Sequence, residues 1–270
     1  AYIYLKRYVK SGDIAVIGGL LYAFSGFSVY NIFFNHFHEA IIIFPLMLAA
    51  LDSYMYERKR GIFALAVFAS CFMNYYFFAG QVVFCLIYWF LRMGSGSWKI
   101  SVKDFLWLAF EAVIGVAMTA VMILPTILAV LQNGRVNSPT YGWGALVYSH
   151  EQRYLHILQS LFFPPDIPAR PNFTPDSDAK WASLGAWLPL FSMTGVIAWI
   201  QTKKKNWIKR MVILLLFMTV IPILNNSFQL FNAAYYARWF YMMTLMMALA
   251  TVCCLETEGV NWGRALCWTG

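Results

Sequence analysis

Residues 61–91 read GIFALAVFASCFMNYYFFAGQVVFCLIYWFL, bounded by Arg58-Lys59-Arg60 on one side and by Arg92 through Lys103 on the other. This stretch decides the fold. A bilayer core takes about 20 apolar residues in helix, with about 17 as a lower limit. The run is too long for one crossing and barely enough for two. Both flanks are basic, and lysine and arginine collect on the cytoplasmic side of a membrane. The run must therefore turn back on itself, near Asn74-Tyr75-Tyr76. A single helix here would put Lys203-Lys204-Lys205 outside, against the same rule.

Other apolar runs extend the pattern in both directions. Ile14–Tyr30 and Ala40–Tyr54 precede the decisive stretch; Phe105–Leu131, Trp181–Ile200, Trp207–Leu224 and Ala237–Leu255 follow it. The fold class is all-α, a polytopic transmembrane helix bundle of about eight spans, occupying residues 1–270 as one partial domain. Pro125 should kink the run Phe105–Leu131, because proline removes a backbone donor.

The connecting loops fall into two chemical sets that alternate along the chain. Residues 1–13, 53–60, 92–104 and 202–210 are basic. Residues 31–39, 74–80, 132–182 and 225–237 hold His36, His38, His150 and His156. The lysines and arginines outside the basic set are Arg135, Arg153, Arg170, Lys180, Arg238 and Arg264, the last in the C-terminal tail. The expected topology is a bacterial plasma-membrane protein with both ends of this piece cytoplasmic and the histidine-bearing face outside. The first residue is alanine and no signal-peptide pattern opens the chain, so the expectation is a piece of a longer protein.

Composition agrees. The chain is 61% hydrophobic and 12% charged, against about 25% charged for a soluble domain, so lipid must bathe most of its surface. The net charge of +8 does not indicate a nucleic-acid partner, because no basic face remains once the spans are removed. Cys71, Cys85, Cys253, Cys254 and Cys267 lie in or near apolar runs without CxxC spacing, and read as small lipid-buried side chains.

The outer loop 132–182 has structure of its own. Ser149-His150-Glu151-Gln152 resembles a capping box, and Tyr154, Leu155, Leu158, Leu161 and Phe162 recur at helical spacing. An amphipathic interfacial helix is expected near 150–163, stopped by Pro164-Pro165. Residues 166–178 are proline-rich and irregular. Asn172-Phe173-Thr174 and Asn225-Asn226-Ser227 match a glycosylation pattern that is common by chance and carries no weight.

Three places could carry chemistry. In the turn at 31–39, Asn31, Asn35, His36 and His38 could bind a substrate; His36, His38 and Glu39 could hold a divalent metal; Glu39 could assist proton movement. The competing reading is a polar turn in interfacial water. At the lip of the last run, Arg238 could hold a phosphate bidentately between Tyr235 and Tyr236, or simply snorkel to the headgroups. Asn74 with Gln81 marks the third place, where capping of a tight turn is the favoured reading. Glu111 lies two turns into a span and needs a partner there; Asp52 reads as interfacial. No GxSxG, Walker or HExxH pattern is present.

Tyr22-Ala23-Phe24-Ser25-Gly26-Phe27, the turn Asn31–Glu39, Phe44-Pro45-Leu46, Arg60–Val67, Asn74-Tyr75-Tyr76-Phe77 and Tyr235-Tyr236-Ala237-Arg238-Trp239 together resemble the YfhO family of bacterial membrane proteins. That family is similar to the GT-C glycosyltransferases. The resemblance implies a GT-C-like bundle with its site at the outer surface, a polyprenyl-phosphate-linked sugar donor, and an envelope polymer such as teichoic acid as acceptor. It also implies a catalytic carboxylate on a loop ahead of residue 1. The alternatives are a transporter or flippase of lipid-linked saccharides, which should carry ionisable residues at the midplane of several spans, and a non-catalytic membrane scaffold.

Overall fold

A computed structural model describes residues 1–98, 101–132, 138–165, 179–203 and 206–270. Arg135, Arg170, the proline-rich stretch 166–178 and the last two lysines of Lys203-Lys204-Lys205 lie outside the described residues. Among the described residues every named element is helical, and a lone bridge pairs Pro139 with Asn232.

Helices α1 (Tyr2–Leu5), α2 (Gly12–Ala23) and α3 (Gly26–Tyr30) lead into the long α4 (Asn35–Glu57). The decisive stretch becomes α5 (Ile62–Met73) and α6 (Tyr75–Gly94), and it turns at Asn74 as expected. The Asn74 side chain accepts from the Phe77 amide and so caps α6. The basic turn before α5 is made by Arg58 and Gly61, both at positive φ. Helices α7 (Val102–Ala117) and α8 (Ala120–Leu131) follow. Then come α9 (Gln152–Phe162), α10 (Thr194–Gln201), α11 (Trp207–Val220), α12 (Pro222–Ser227), α13 (Phe240–Leu255) and α14 (Trp262–Thr269).

The span count is corrected. Three segments are long and apolar enough to cross a membrane: Gly12–Tyr30, Asn35–Glu57 and Tyr75–Gly94. Joining α7 and α8, which bend by 79° at their junction, gives a fourth. Eight crossings are not reached, because several apolar runs break before they are long enough. The 12 residues of α5 rise only about 18 Å, against a hydrocarbon core of roughly 30 Å. The expected span at 181–200 yields only the eight residues of α10; Trp181, Ser183, Leu190 and Ser192 all take positive φ, which no α-helix accommodates. Helix α11 stops at Val220, before Pro222.

The run Phe105–Leu131 bends at Met118-Thr119, not at Pro125, which sits inside α8. Thr119 turns its hydroxyl back onto the Val116 carbonyl at 2.6 Å, drawing on a group the helix would otherwise use. Nor does the expected capping box form: Glu151 precedes α9 in helical geometry, with no side-chain cap.

Helix α13 is the axis of the bundle. It is apolar on every side and buried along nearly its whole length, as such a helix must be. Helices α2, α10 and α11 pack around it. On the other flank α7 lies against α5 so closely that a Cβ on Gly115 would stand 2.6 Å from the Ala64 carbonyl oxygen; a small residue lets the two backbones approach.

Glu111 has the partners its depth demands. Its carboxylate accepts from the Gly61 and Ala64 amides at 2.8 and 3.2 Å and from Trp107 Nε1 at 2.6 Å. Two of these are amides that the start of α5 leaves without helical acceptors. Asp52 corrects its expectation. It is fully buried at the basic end of the bundle, where Tyr8 and Tyr88 donate hydroxyls to it and Arg92 stands 4.0 Å away.

Candidate functional site

The site lies at the histidine-bearing end, where the first turns of α4 and α6 meet the segment leading into α13. Arg238 occupies that segment. Its guanidinium carbon is 3.9 Å from the Tyr236 ring centre, 5.0 Å from Tyr76 and 5.4 Å from Phe37. Phe37 is itself wedged between Phe34 and Phe77. The rings attract the cation through their electron-rich faces. No carboxylate pairs with Arg238 among the described residues, and its buried Nε has no acceptor.

A polar brace sets this arginine. Asn225 donates to the Tyr236 carbonyl at 3.1 Å and accepts from Trp239 Nε1 at 2.8 Å, so it grips the chain on both sides of Arg238. Phe228 stacks on Trp239 at 4.3 Å. The Ala237 amide donates to the Ala182 carbonyl at 2.7 Å. Beneath the guanidinium, Tyr76, Asn225, Tyr236 and Trp239 help enclose a cavity of about 10 Å³, room for roughly one water.

The expected site residues separate into groups. Tyr236 and Arg238 come together, and Asn74 adjoins them by donating to the His36 carbonyl at 3.1 Å, tying α6 to the first turn of α4. Tyr235 points elsewhere. It is buried, 5.0 Å from Tyr148 and 4.4 Å from the Arg153 guanidinium, and burial pushes its hydroxyl pKa well above the ordinary phenol value. Asn31 is buried and occupied, donating to the Phe27 carbonyl and accepting from Ser183. Gln81 donates to the Tyr241 hydroxyl at 3.0 Å inside the bundle.

The metal set does not assemble. Helix α4 begins at Asn35, so successive residues turn by about 100°. His36 and His38 then face roughly opposite ways. Glu39 shares a side with His36, whose ring meets that of Phe37 at 4.7 Å. Among the described residues no three His, Cys, Asp or Glu side chains gather as a metal-binding group. His38 contacts the Phe34 carbonyl at 3.4 Å, and Glu39 makes no polar contact among the described residues. His156 lies apart in α9, its imidazole pKa lowered by burial and then by Arg153.

The sequence did not single out Asn225 or Arg153, which the structure sets against Tyr236 and Tyr235 respectively. Asn225 is visible there only inside a chance glycosylation pattern. Arg153 carried a signal, as one of few cations in the outer loop.

An all-helical, lipid-bathed bundle with its polar side chains concentrated at two ends defines a polytopic membrane protein. The family described as bacterial membrane protein YfhO matches residues 1–268, and the chain belongs to that family. No curated protein and no solved structure matches it.

Proposed function

We propose that this chain is the core of a GT-C-like glycosyltransferase of the bacterial plasma membrane. In this reading it moves a sugar from a polyprenyl phosphate to an envelope polymer such as teichoic acid, at the outer face. The observation that carries the reading is Arg238: a guanidinium oriented by three rings, braced by Asn225, and lacking any carboxylate partner among the described residues. A fixed cation without a counter-ion suits a ligand that brings its own negative charge.

The reaction is a displacement at the anomeric carbon. The acceptor oxygen bonds to that carbon as its proton passes to a base, and the bond to the lipid phosphate breaks. The leaving phosphate gains charge as the bond opens, and in this reading Arg238 neutralises it. Tyr236 and Tyr76 hold the guanidinium and offer ring faces to a sugar. Glu39, Asn35, His36 and His38 rim the same end and contribute acceptor contacts. Among the described residues His36, His38 and Glu39 do not gather as a metal site, so their part in this reading is contact with the substrate. The contribution of these residues is leaving-group stabilisation more than proton abstraction.

The test uses the full-length parent. Arg238→Ala should lower sugar transfer to cell-wall polymer by about 10²–10³, the usual weight of one such donor, with Arg238→Lys recovering part. Parental transfer by Arg238→Ala overturns the reading. Cysteines placed at His36 and Lys59 test the orientation: an impermeant thiol reagent outside the cell should label the first and spare the second.

A further inference from the structure

Lys180 and Trp181 stand at the same end of the bundle as Arg238, outside the three rings that hold it. The Lys180 ammonium lies over the Trp181 indole, 5.6 Å from the ring centre. Among the described residues it pairs with no carboxylate. Trp181 takes a φ of 67°, a conformation that bulky residues avoid, and is 48% exposed. Backbone of this kind persists only where its surroundings enforce it, and it gathers at ligand sites. Here the next residue enforces it. The Ala182 amide donates to the Ala179 carbonyl at 3.1 Å, and the Ala182 carbonyl accepts from the Ala237 amide at 2.7 Å.

Contacts run unbroken from this pair to Arg238. Phe34 meets Trp181 edge-on at 5.8 Å and stacks on Phe37 at 5.1 Å. Phe37 in turn lies 5.4 Å from the Arg238 guanidinium. Two cations without carboxylate partners among the described residues thus stand at the two ends of a row of three rings. The lipid-linked donor brings one phosphate at the reacting bond, which Arg238 meets. Lys180 is left for an anion on the other substrate. The half-exposed indole beside it offers a flat apolar face to the C–H groups of a sugar or polyol. A lysine and tryptophan that only anchored the chain among headgroups would need no such tie to the Arg238 segment.

We propose that Lys180 and Trp181 form the acceptor subsite, and that the acceptor is an anionic sugar or polyol chain. Lys180 meets a phosphate of that chain as a point charge, and Trp181 packs on the carbons beside it. The assignment rests on the reading of Arg238 as the group that receives the leaving phosphate, and it gives that reaction a place for its second substrate.

The experiment titrates the purified full-length parent, in phosphatidylcholine nanodiscs, with a fluorescent glycerol-phosphate oligomer followed by anisotropy. The nanodisc supplies lipid phosphate throughout, so the signal reports the soluble chain alone. The parent should bind the oligomer and should bind a neutral dextran oligomer of matched length more weakly. Lys180→Gln should weaken the oligomer about tenfold, the weight of one charge-assisted hydrogen bond. Trp181→Ala should weaken it about fivefold, the weight of one aromatic contact. Arg238→Ala should still bind the oligomer, because that side chain serves the donor; its effect on sugar transfer tests the other reading separately. The proposal is overturned by no binding to the parent, by equal binding of dextran, or by oligomer binding lost in Arg238→Ala. Parental binding by Lys180→Gln also overturns it and leaves the pair as a headgroup anchor. Should Trp181→Ala fail to fold, Lys180→Gln decides alone, because that side chain has no ion pair to lose among the described residues.

Discussion

Arg92 and Arg238 both sit among aromatic rings, at opposite ends of the same helix. Arg92 is in the last turn of α6, and Tyr76, which meets Arg238, is in its first; about 24 Å of helix separates them. Arg92 is wholly buried. Tyr8, Tyr56, Tyr88, Trp98 and Trp207 surround it at 4.3 to 5.6 Å. It donates to the hydroxyls of Tyr8 and Tyr88 at 2.7 and 2.9 Å and faces Asp52. Arg238 has three rings, partial exposure and, among the described residues, no carboxylate. The rings are common to both, so they do not distinguish the roles. The counter-ion does. Arg92 with Asp52 is an internal clamp joining α4, α6 and the start of the chain, whereas Arg238 keeps its charge available.

The largest expected effect tests the closed end. Arg92→Met leaves Asp52 buried without the cation that faces it, and removal of one partner of such a pair costs about 3–5 kcal/mol. Unfolding followed by tryptophan fluorescence in detergent should show that loss. Adding Asp52→Asn should recover a good part of it, because the stranded charge is then gone. If Arg92→Met unfolds at the parental midpoint, Arg92 is no clamp. Arg238→Ala should behave the other way. Its midpoint should stay close to the parent while sugar transfer drops by about 2.7–4 kcal/mol of barrier. A large stability loss with transfer intact would place both arginines in one structural class.

This contrast was only half legible in the sequence. Arg238 stands out there as one of few cations on its side of the chain. The turn at Asn74 follows from the charges flanking 61–91, and Glu111 follows from its depth. Arg92 and Asp52 do not stand out. Each looks like an ordinary charge at a span end, and their meeting needs Tyr8, Asp52 and Tyr88, far apart in sequence, to converge. The turn at 31–39 misleads for a related reason. Read as a loop, it lets His36, His38 and Glu39 point at one ion; a helix begun at Asn35 instead of Ala40 turns them apart. The missing span at 181–200 is a backbone matter: nothing in Trp181, Ser183, Leu190 or Ser192 announces positive φ. That segment instead crosses α3, where the Gly26 amide donates to the Trp187 carbonyl at 2.7 Å.

That crossing gives a way to disturb one end alone. A Cβ on Gly185 would stand 2.5 Å from the Gly26 carbonyl oxygen, a backbone atom that cannot swing aside. Gly185→Ala should cost about 1–3 kcal/mol, as overpacking does. The same segment supplies the Ala182 carbonyl that holds the Ala237 amide, so Arg238 should lose its setting while Arg92 keeps its own. Hydrogen exchange should quicken around residues 235–239 and stay unchanged around Tyr88 and Arg92. Equal quickening at both ends would mean that the two cages are coupled through the bundle.

The smallest effect separates two jobs done by one side chain. Asn74 caps α6 through its oxygen and ties α6 to α4 through its nitrogen, which donates to the His36 carbonyl. Asn74→Ala removes both and should cost about 1 kcal/mol, the usual weight of a cap. Asn74→Asp keeps an acceptor for the Phe77 amide but has no donor for His36. If the cap matters most, the aspartate variant unfolds near the parental midpoint; if the tie matters most, it follows the alanine variant. The tie has the stronger claim on the open site. Phe37, next to His36, is one of the three rings around Arg238, and a first turn of α4 released from α6 would carry that ring away. Sugar transfer by the aspartate variant should therefore fall even where its stability does not. Parental transfer with parental stability would confine Asn74 to capping and leave Tyr76 and Tyr236 to hold the guanidinium.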